Sequence, residues 1–368
     1  MKIVLVACKS WSDAVMNVLR ISEVLFISLL GGVIAMSISL PLPWVLGPLL
    51  FVVIWKTISK RDMIWPDYLK NSGLTILGIY FGLYFTLSSV QMIFPFFIPY
   101  VLLTIILIII CIMIGTLISK SIQIDQVTSV LSTIPGGLTE MVIASEDLKA
   151  NSSFVLIFQT IRLVTVLFTV PSVIIILFHT SNPDREFVSQ TNESFLHIEL
   201  SLLWFIIPIT IGFLLKEKIP AGIVLIPMLL TAFLNMSIID LPTVPSLFVV
   251  LAQLSVGIGL GISISIKDLQ KGGAYCIHFL ITTLIIISIS FGLGTILAFL
   301  TSMDYATAIL SLAPGGLIEM ALTASSVGAD PAIVSSLQMI RILLIITVVP
   351  ITLQWYFSRK RKRLKKCS

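Results

Sequence analysis

Two glutamates, Glu140 and Glu319, and two arginines, Arg162 and Arg341, stand inside long apolar runs, and each pair is separated by 179 residues. A carboxylate at membrane depth can take up and release a proton or hold a sodium ion, so such residues are functional candidates from the outset. A guanidinium at that depth is too far from water to snorkel and needs a buried partner or a water-filled cavity. Two partners suit it. One is the glutamate of the same repeat, Arg162 with Glu140 and Arg341 with Glu319, as a structural ion pair that could also switch with a proton. The other is an anionic substrate, which arginine holds bidentately. Gln159 and Gln338 precede the arginines by three residues, so amide and guanidinium share one helical face. The glutamates have a plainer reading too, as caps on the free amides of their own helices.

The element carrying each glutamate is interrupted. Pro135-Gly136-Gly137-Leu138-Thr139-Glu140-Met141 returns as Pro314-Gly315-Gly316-Leu317-Ile318-Glu319-Met320. A proline inside a helix removes a hydrogen bond and clashes with the preceding turn, so the apolar run splits into two halves. Each half has about 9 residues and is roughly 14 Å long. The halves can form a re-entrant hairpin or a broken crossing helix. Either way the carboxylate sits in the first turn of the second half, at the positive end of its dipole, and the glycines let other groups approach the backbone. Asp125 and Asp304 open the interrupted elements and read as N-caps.

The same offset joins Pro48 with Pro227, Gly78 with Gly257, Gly82 with Gly261, Gly115 with Gly294 and Pro171 with Pro350, which makes the chain an ungapped duplication. The glycine pairs four apart suit close helix packing; no βαβ pattern surrounds them to suggest a dinucleotide site.

Composition sets the class: 57% of the residues are hydrophobic, 11% are charged and the mean hydropathy is +1.09, far from soluble averages. Apolar runs of roughly 20 residues recur, enough to cross about 30 Å of hydrocarbon, and lipid forces them to be helices. Six elements are expected per repeat, at 21–40, 42–59, 71–89, 95–119, 126–147 and 152–178, then 199–215, 220–238, 246–266, 273–300, 305–328 and 332–357.

Lysine and arginine near span ends mark the cytoplasmic side. If the fifth element of each repeat re-enters and both termini are cytoplasmic, 20 of the 23 basic residues lie inside, Arg185 alone lies outside, and Arg162 and Arg341 lie in the membrane. If all twelve elements cross, 16 lie inside and 5 outside. The ten-span arrangement fits better, and its odd number of spans per repeat makes the repeats opposite in orientation. Inverted repeats with discontinuous midmembrane elements are a recurring plan of secondary transporters. The expected organisation is a cytoplasmic N-terminus (1–20), membrane repeat 1 (21–179), an extracellular linker (180–198), membrane repeat 2 (199–357) and a basic cytoplasmic tail (358–368).

Four scattered cysteines, Cys8, Cys111, Cys276 and Cys367, suggest neither a disulfide framework nor a zinc site. The stretch ending at Cys8 is too short to be the apolar core of a signal peptide. The tail Arg359-Lys360-Arg361-Lys362-Arg363-Leu364-Lys365-Lys366 reads as a membrane-proximal basic run that meets anionic lipid. His179, His197 and His278 are isolated, and no metal or other cofactor is indicated.

The paired motifs, PGGLTEM with Gln159 and Arg162 and PGGLIEM with Gln338 and Arg341, resemble the AbrB-type duplicated membrane-protein family. The resemblance spans nearly the whole chain after about residue 20. Labels within that family include a membrane-associated regulator of gene expression and an ammonia monooxygenase. No helix-turn-helix domain is attached here, so direct contact with nucleic acid is not expected.

These readings converge on an all-α fold, a polytopic transmembrane helical bundle with an inverted 5+5 repeat and two re-entrant or broken helices, in the cell membrane. The expected function is secondary transport of a small organic solute, with Glu140 and Glu319 binding a proton or sodium ion. Arg162, Arg341, Gln159 and Gln338 are the substrate-binding or charge-pairing candidates, and a homo-oligomer is compatible with this plan. The rivals are a membrane sensor that binds a small ligand and regulates gene expression and, third, the monooxygenase, for which no metal ligands converge.

Overall fold

The computed structural model describes residues 2–61, 63–178, 204–216, 221–237 and 241–367. The expected linker 180–198, with Arg185 and His197, lies outside the described residues, as do His179, Lys218 and Asp240. The first repeat forms α1 (Lys2–Ser37), α2 (Pro43–Ser59), α3 (Asp67–Gly82), α4 (Leu87–Ile122), α5 (Gln126–Thr133), α6 (Leu138–Asp147) and α7 (Ser152–Phe178). The second forms α8 (Ile206–Leu215), α9 (Gly222–Met236), α10 (Ser246–Ser263), α11 (Ile266–Gly272), α12 (Tyr275–Thr301), α13 (Tyr305–Leu312), α14 (Leu317–Val327) and α15 (Pro331–Cys367). Among the described residues no strand occurs.

Six helical stretches, in α1, α4, α7, α10, α12 and α15, are long and apolar enough to cross a bilayer, and α2, α8, α9 and α14 are shorter apolar helices. Phe94, Ile176 and Phe299 are 77%, 78% and 81% exposed, a disposition that water would penalise and lipid does not. The chain is a multi-pass, all-helical membrane protein.

Some bounds differ from expectation. Residues 2–20 form the first part of α1 and are not a separate segment before it, and the basic tail continues α15 to Cys367. The helix α4 begins eight residues early and carries Pro95 and Pro99 in its interior, where each proline removes one intrahelical donor. The short α11 precedes α12, in what the sequence reads as a loop.

The chain divides into two compact units, Met1–Thr86 with Pro183–Ile266, and Leu87–Asn182 with Lys267–Ser368. These are not the two repeats, because each unit takes one half of both.

In the first unit, packing is reciprocal. The Gly78 and Gly82 positions of α3 lie against the backbone carbonyls of Val224 and Met228 in α9, while Gly257 and Gly261 of α10 lie against those of Val45 and Leu49 in α2. A Cβ at any of the four would collide with main chain, which is the close approach that small-xxx-small spacing allows. Helix ends are also capped across repeats. Asn235 Nδ2 donates to Leu83 O (3.0 Å) and Phe85 O (2.9 Å) beyond α3, and Lys56 Nζ donates to Ile262 O (2.6 Å) and Ile264 O (3.0 Å) at the end of α10. Lys56 and Asn235 are equivalent positions, as are the carbonyls they serve.

The second unit holds both interrupted elements. Buried Leu107, Cys111, Val130, Ile134, Met141, Val155, Ile345 and Val349 form one core around α5 and α6. Val166, Val170, Ile174, Ile309, Ala313, Met320, Ala324 and Val334 form its counterpart around α13 and α14.

Candidate functional site

The halves of each interrupted element fold back on one another. Asn151 N–H, one residue before α7, donates to Thr128 Oγ1 in the first turn of α5 (3.0 Å), and Asp330 N–H donates to Thr307 Oγ1 in α13 (3.2 Å). The far end of α6 therefore returns to the near end of α5, and α14 returns to α13. A continuous crossing would put these ends roughly 30 Å apart. Both elements are helical hairpins, with Pro-Gly-Gly at the tip. Asp125 and Asp304 cap them as expected: Oδ2 accepts from Thr128 N (3.0 Å) and Thr307 N (3.2 Å), respectively.

Each tip is held by the helix that follows it. Pro135 and Pro314 have no N–H, so the carbonyls four residues earlier, Leu131 O and Leu310 O, lose their helical donor. Gln159 Nε2 replaces it on Leu131 O (2.6 Å) and also reaches Ile134 O (3.2 Å). Gln338 Nε2 does the same on Leu310 O (2.8 Å) and Ala313 O (3.2 Å). One turn further, Arg162 Nη1 and Nη2 donate to Ile134 O and Gly136 O, both at 2.7 Å. Arg341 Nη1 donates to Ala313 O, and its Nη2 donates to Gly315 O at 2.5 Å. The cations thus sit at the negative ends of α5 and α13.

Gln159, Gln338 and Arg341 are 0%, 0% and 2% exposed, and Arg162 is 8% exposed. Ten residues separate each arginine from the start of its helix, or about 15 Å of rise, which is half the hydrocarbon thickness. The hairpin tips lie that far along α7 and α15.

The structure brings Arg341 to backbone carbonyls and not to Glu319; among the described residues the two form no ion pair. Glu319 is 9% exposed, in the first turn of α14, and its carboxylate folds over Gly316, where a Cβ would leave it no room. Glu140 occupies the equivalent backbone position in α6, and its side chain lies outside those described. The methionine of each motif also has a place. Met141 packs onto Gly136 and Met320 onto Gly315, so a Cβ on the middle glycine would displace the thioether.

Several supports were not legible from residue types. Tyr100 Oη, in α4, donates to Ser311 O at 3.1 Å, tying the first repeat to the second hairpin. Ser129 Oγ donates to Gly115 O at 2.7 Å. The 179-residue offset does expose Gly115 and Gly294 as a pair, and both let α5 and α13 approach the preceding long helix. His278, exposed on α12, has Nδ1 3.3 Å from Ala274 O of its own helix.

Residues 44–357 match the family model described as "Transition state regulatory protein AbrB". The chain belongs to the AbrB family. It is 24% identical over 253 residues to a protein of Escherichia coli (strain K12) named "Putative regulator AbrB", covering 68% of this chain and 71% of that one. It is 25% identical over 361 residues to YhjN of Bacillus subtilis (strain 168), covering 91% and 92% of the two chains. In this AbrB-family chain the hairpins and the Gln-x-x-Arg pairs that clamp them all fall within the matched region.

Proposed function

We propose that the chain is a ten-span secondary transporter of a small organic solute, in the cell membrane with both termini cytoplasmic. The two hairpins enter from opposite faces, and Glu140 and Glu319 bind the coupling proton or sodium ion. The observation that carries this reading is the order of packing along α7 and α15. The first hairpin's core takes Val155 from the start of α7 and Ile345 and Val349 from far along α15; the second takes Val334 from the start of α15 and Val166, Val170 and Ile174 from far along α7. Each long helix meets its own hairpin first and the other repeat's hairpin next. That order supports two hairpins stacked tip toward tip, which brings their carboxylates to a common depth.

The decisive experiment is uptake into proteoliposomes across a panel of solutes, with and without a proton or sodium gradient, comparing wild type with Glu319→Gln. Gradient-driven uptake that is lost in the variant is expected. Uptake unchanged by it defeats the coupling role.

The names of the family and of the Escherichia coli relative favour a second reading, a membrane-bound regulator that senses a small ligand through the same hairpins and signals through the basic end of α15. Deleting the chain from Ser358 onward separates the two: a transporter keeps its flux, and a tail-signalling sensor loses its output.

A further inference from the structure

The two arginines use only part of their bonding capacity. A guanidinium has an end-on edge, formed by Nη1 and Nη2, and a side-on edge, formed by Nε and the second hydrogen of Nη2. In both repeats the end-on edge is spent on the two tip carbonyls. The Nε of Arg162 and the Nε of Arg341 are buried without a hydrogen-bond partner, and so are Oε1 of Gln159 and Oε1 of Gln338. Because the same atoms are unpartnered 179 residues apart, an accident of one side chain's packing does not account for them.

Charge leads to the same place. The hydrogen-bond partners of both guanidinium groups are neutral carbonyls. Among the described residues neither touches a carboxylate. Carbonyl dipoles orient a buried cation without neutralising it.

We propose that the side-on edges of Arg162 and Arg341 bind the solute, and that this solute carries a carboxylate. The Nε–H and Nη2–H donors lie parallel at the spacing of two carboxylate oxygens, the bidentate match that lysine cannot make. With one such edge in each repeat, the unit is equipped for one carboxylate per arginine. The tip and its clamp act together: an arginine drawn toward the solute pulls on the carbonyls of Ile134 and Gly136, or of Ala313 and Gly315, so binding is felt at the hairpin bend that carries the glutamate. This assignment rests on the transport reading only for calling the bound anion a substrate.

The test is thermal unfolding of the purified full chain in nanodiscs with sodium acetate, pyruvate or succinate. Sodium chloride, sodium phosphate and choline chloride at matched ionic strength are the comparisons. The expected result is a saturable rise in Tm of roughly 3 °C or more with at least one carboxylate, and at least tenfold weaker half-saturation in Arg162→Lys and in Arg341→Lys. No response beyond chloride, a response to phosphate alone, or full responses in both lysine variants would overturn the proposal. Should either variant fail to fold, the wild-type panel still decides between carboxylate, phosphate and cation. Carboxylate binding without gradient-driven flux keeps this inference and removes transport; gradient-driven flux of a cation with no carboxylate response does the reverse.

Discussion

Replacing Gln338 with leucine isolates what the glutamine does at the hairpin tip. Leucine has similar bulk, so little cavity is created, but both Nε2 bonds disappear, the 2.8 Å bond to Leu310 O and the 3.2 Å bond to Ala313 O. Ala313 O still receives Arg341. Leu310 O has no replacement, because the residue four positions on is Pro314. A buried carbonyl left without a donor costs about 1–3 kcal/mol in water-soluble proteins, whereas interhelical hydrogen bonds in membranes average about 0.6 and reach about 1.7 kcal/mol. A loss of about 1–2 kcal/mol is therefore expected, read by reversible unfolding in mixed micelles. Faster hydrogen exchange from Leu310 to Leu317 should accompany it. Thr347→Val is the control: Thr347 Oγ1 donates to Leu343 O, on an exposed face of the same helix and to a carbonyl that is already helical, so its removal should change stability by less than about 0.5 kcal/mol. If Gln338→Leu is as stable as the control, the glutamine is not replacing the donor that proline lacks.

Gly78→Leu and Gly257→Leu should each destabilise by about 1–3 kcal/mol, since both would drive a side chain into the main chain of a neighbouring helix; a large effect at only one would contradict the reciprocal packing of the first unit. Gly292→Ala, in α12 with nothing within 4 Å of a Cβ, should be neutral or stabilising by up to about 1 kcal/mol in the same unfolding assay. Asp304→Ala should cost about 1 kcal/mol through loss of the cap on α13, and Asp304→Asn should recover most of it.

The interruption of the fifth element was legible because proline and glycine act locally. Halves of about 9 residues were expected, and the helices have 8 and 10 residues in the first repeat and 8 and 11 in the second. The N-caps at Asp125 and Asp304 were legible for the same reason. The partners of Arg162 and Arg341 were not. A buried guanidinium invites a search for a carboxylate, yet its acceptors here are main-chain carbonyls, which every residue has and no sequence marks. The usable sign was subtler: a proline orphans the carbonyl four residues before it, and a Gln-x-x-Arg follows at the same distance in both repeats. The caps at Lys56 and Asn235 were hidden because the equivalent positions differ in type, so only their shared location relates them. Nor does contiguity in sequence reveal the two compact units, the first of which is joined by glycine contacts between residues far apart along the chain.

Transport through opposed hairpins requires above all that the mouths of the hairpins open on opposite sides of the membrane. The direct measurement is membrane-impermeant thiol labelling of Lys149→Cys and Tyr305→Cys, both exposed at their hairpin mouths, in a background where Cys8, Cys111, Cys276 and Cys367 are replaced by serine. Residue 149 is expected to be labelled only from the cytoplasmic side and residue 305 only from outside the cell. Labelling of both from one side would contradict the opposed arrangement.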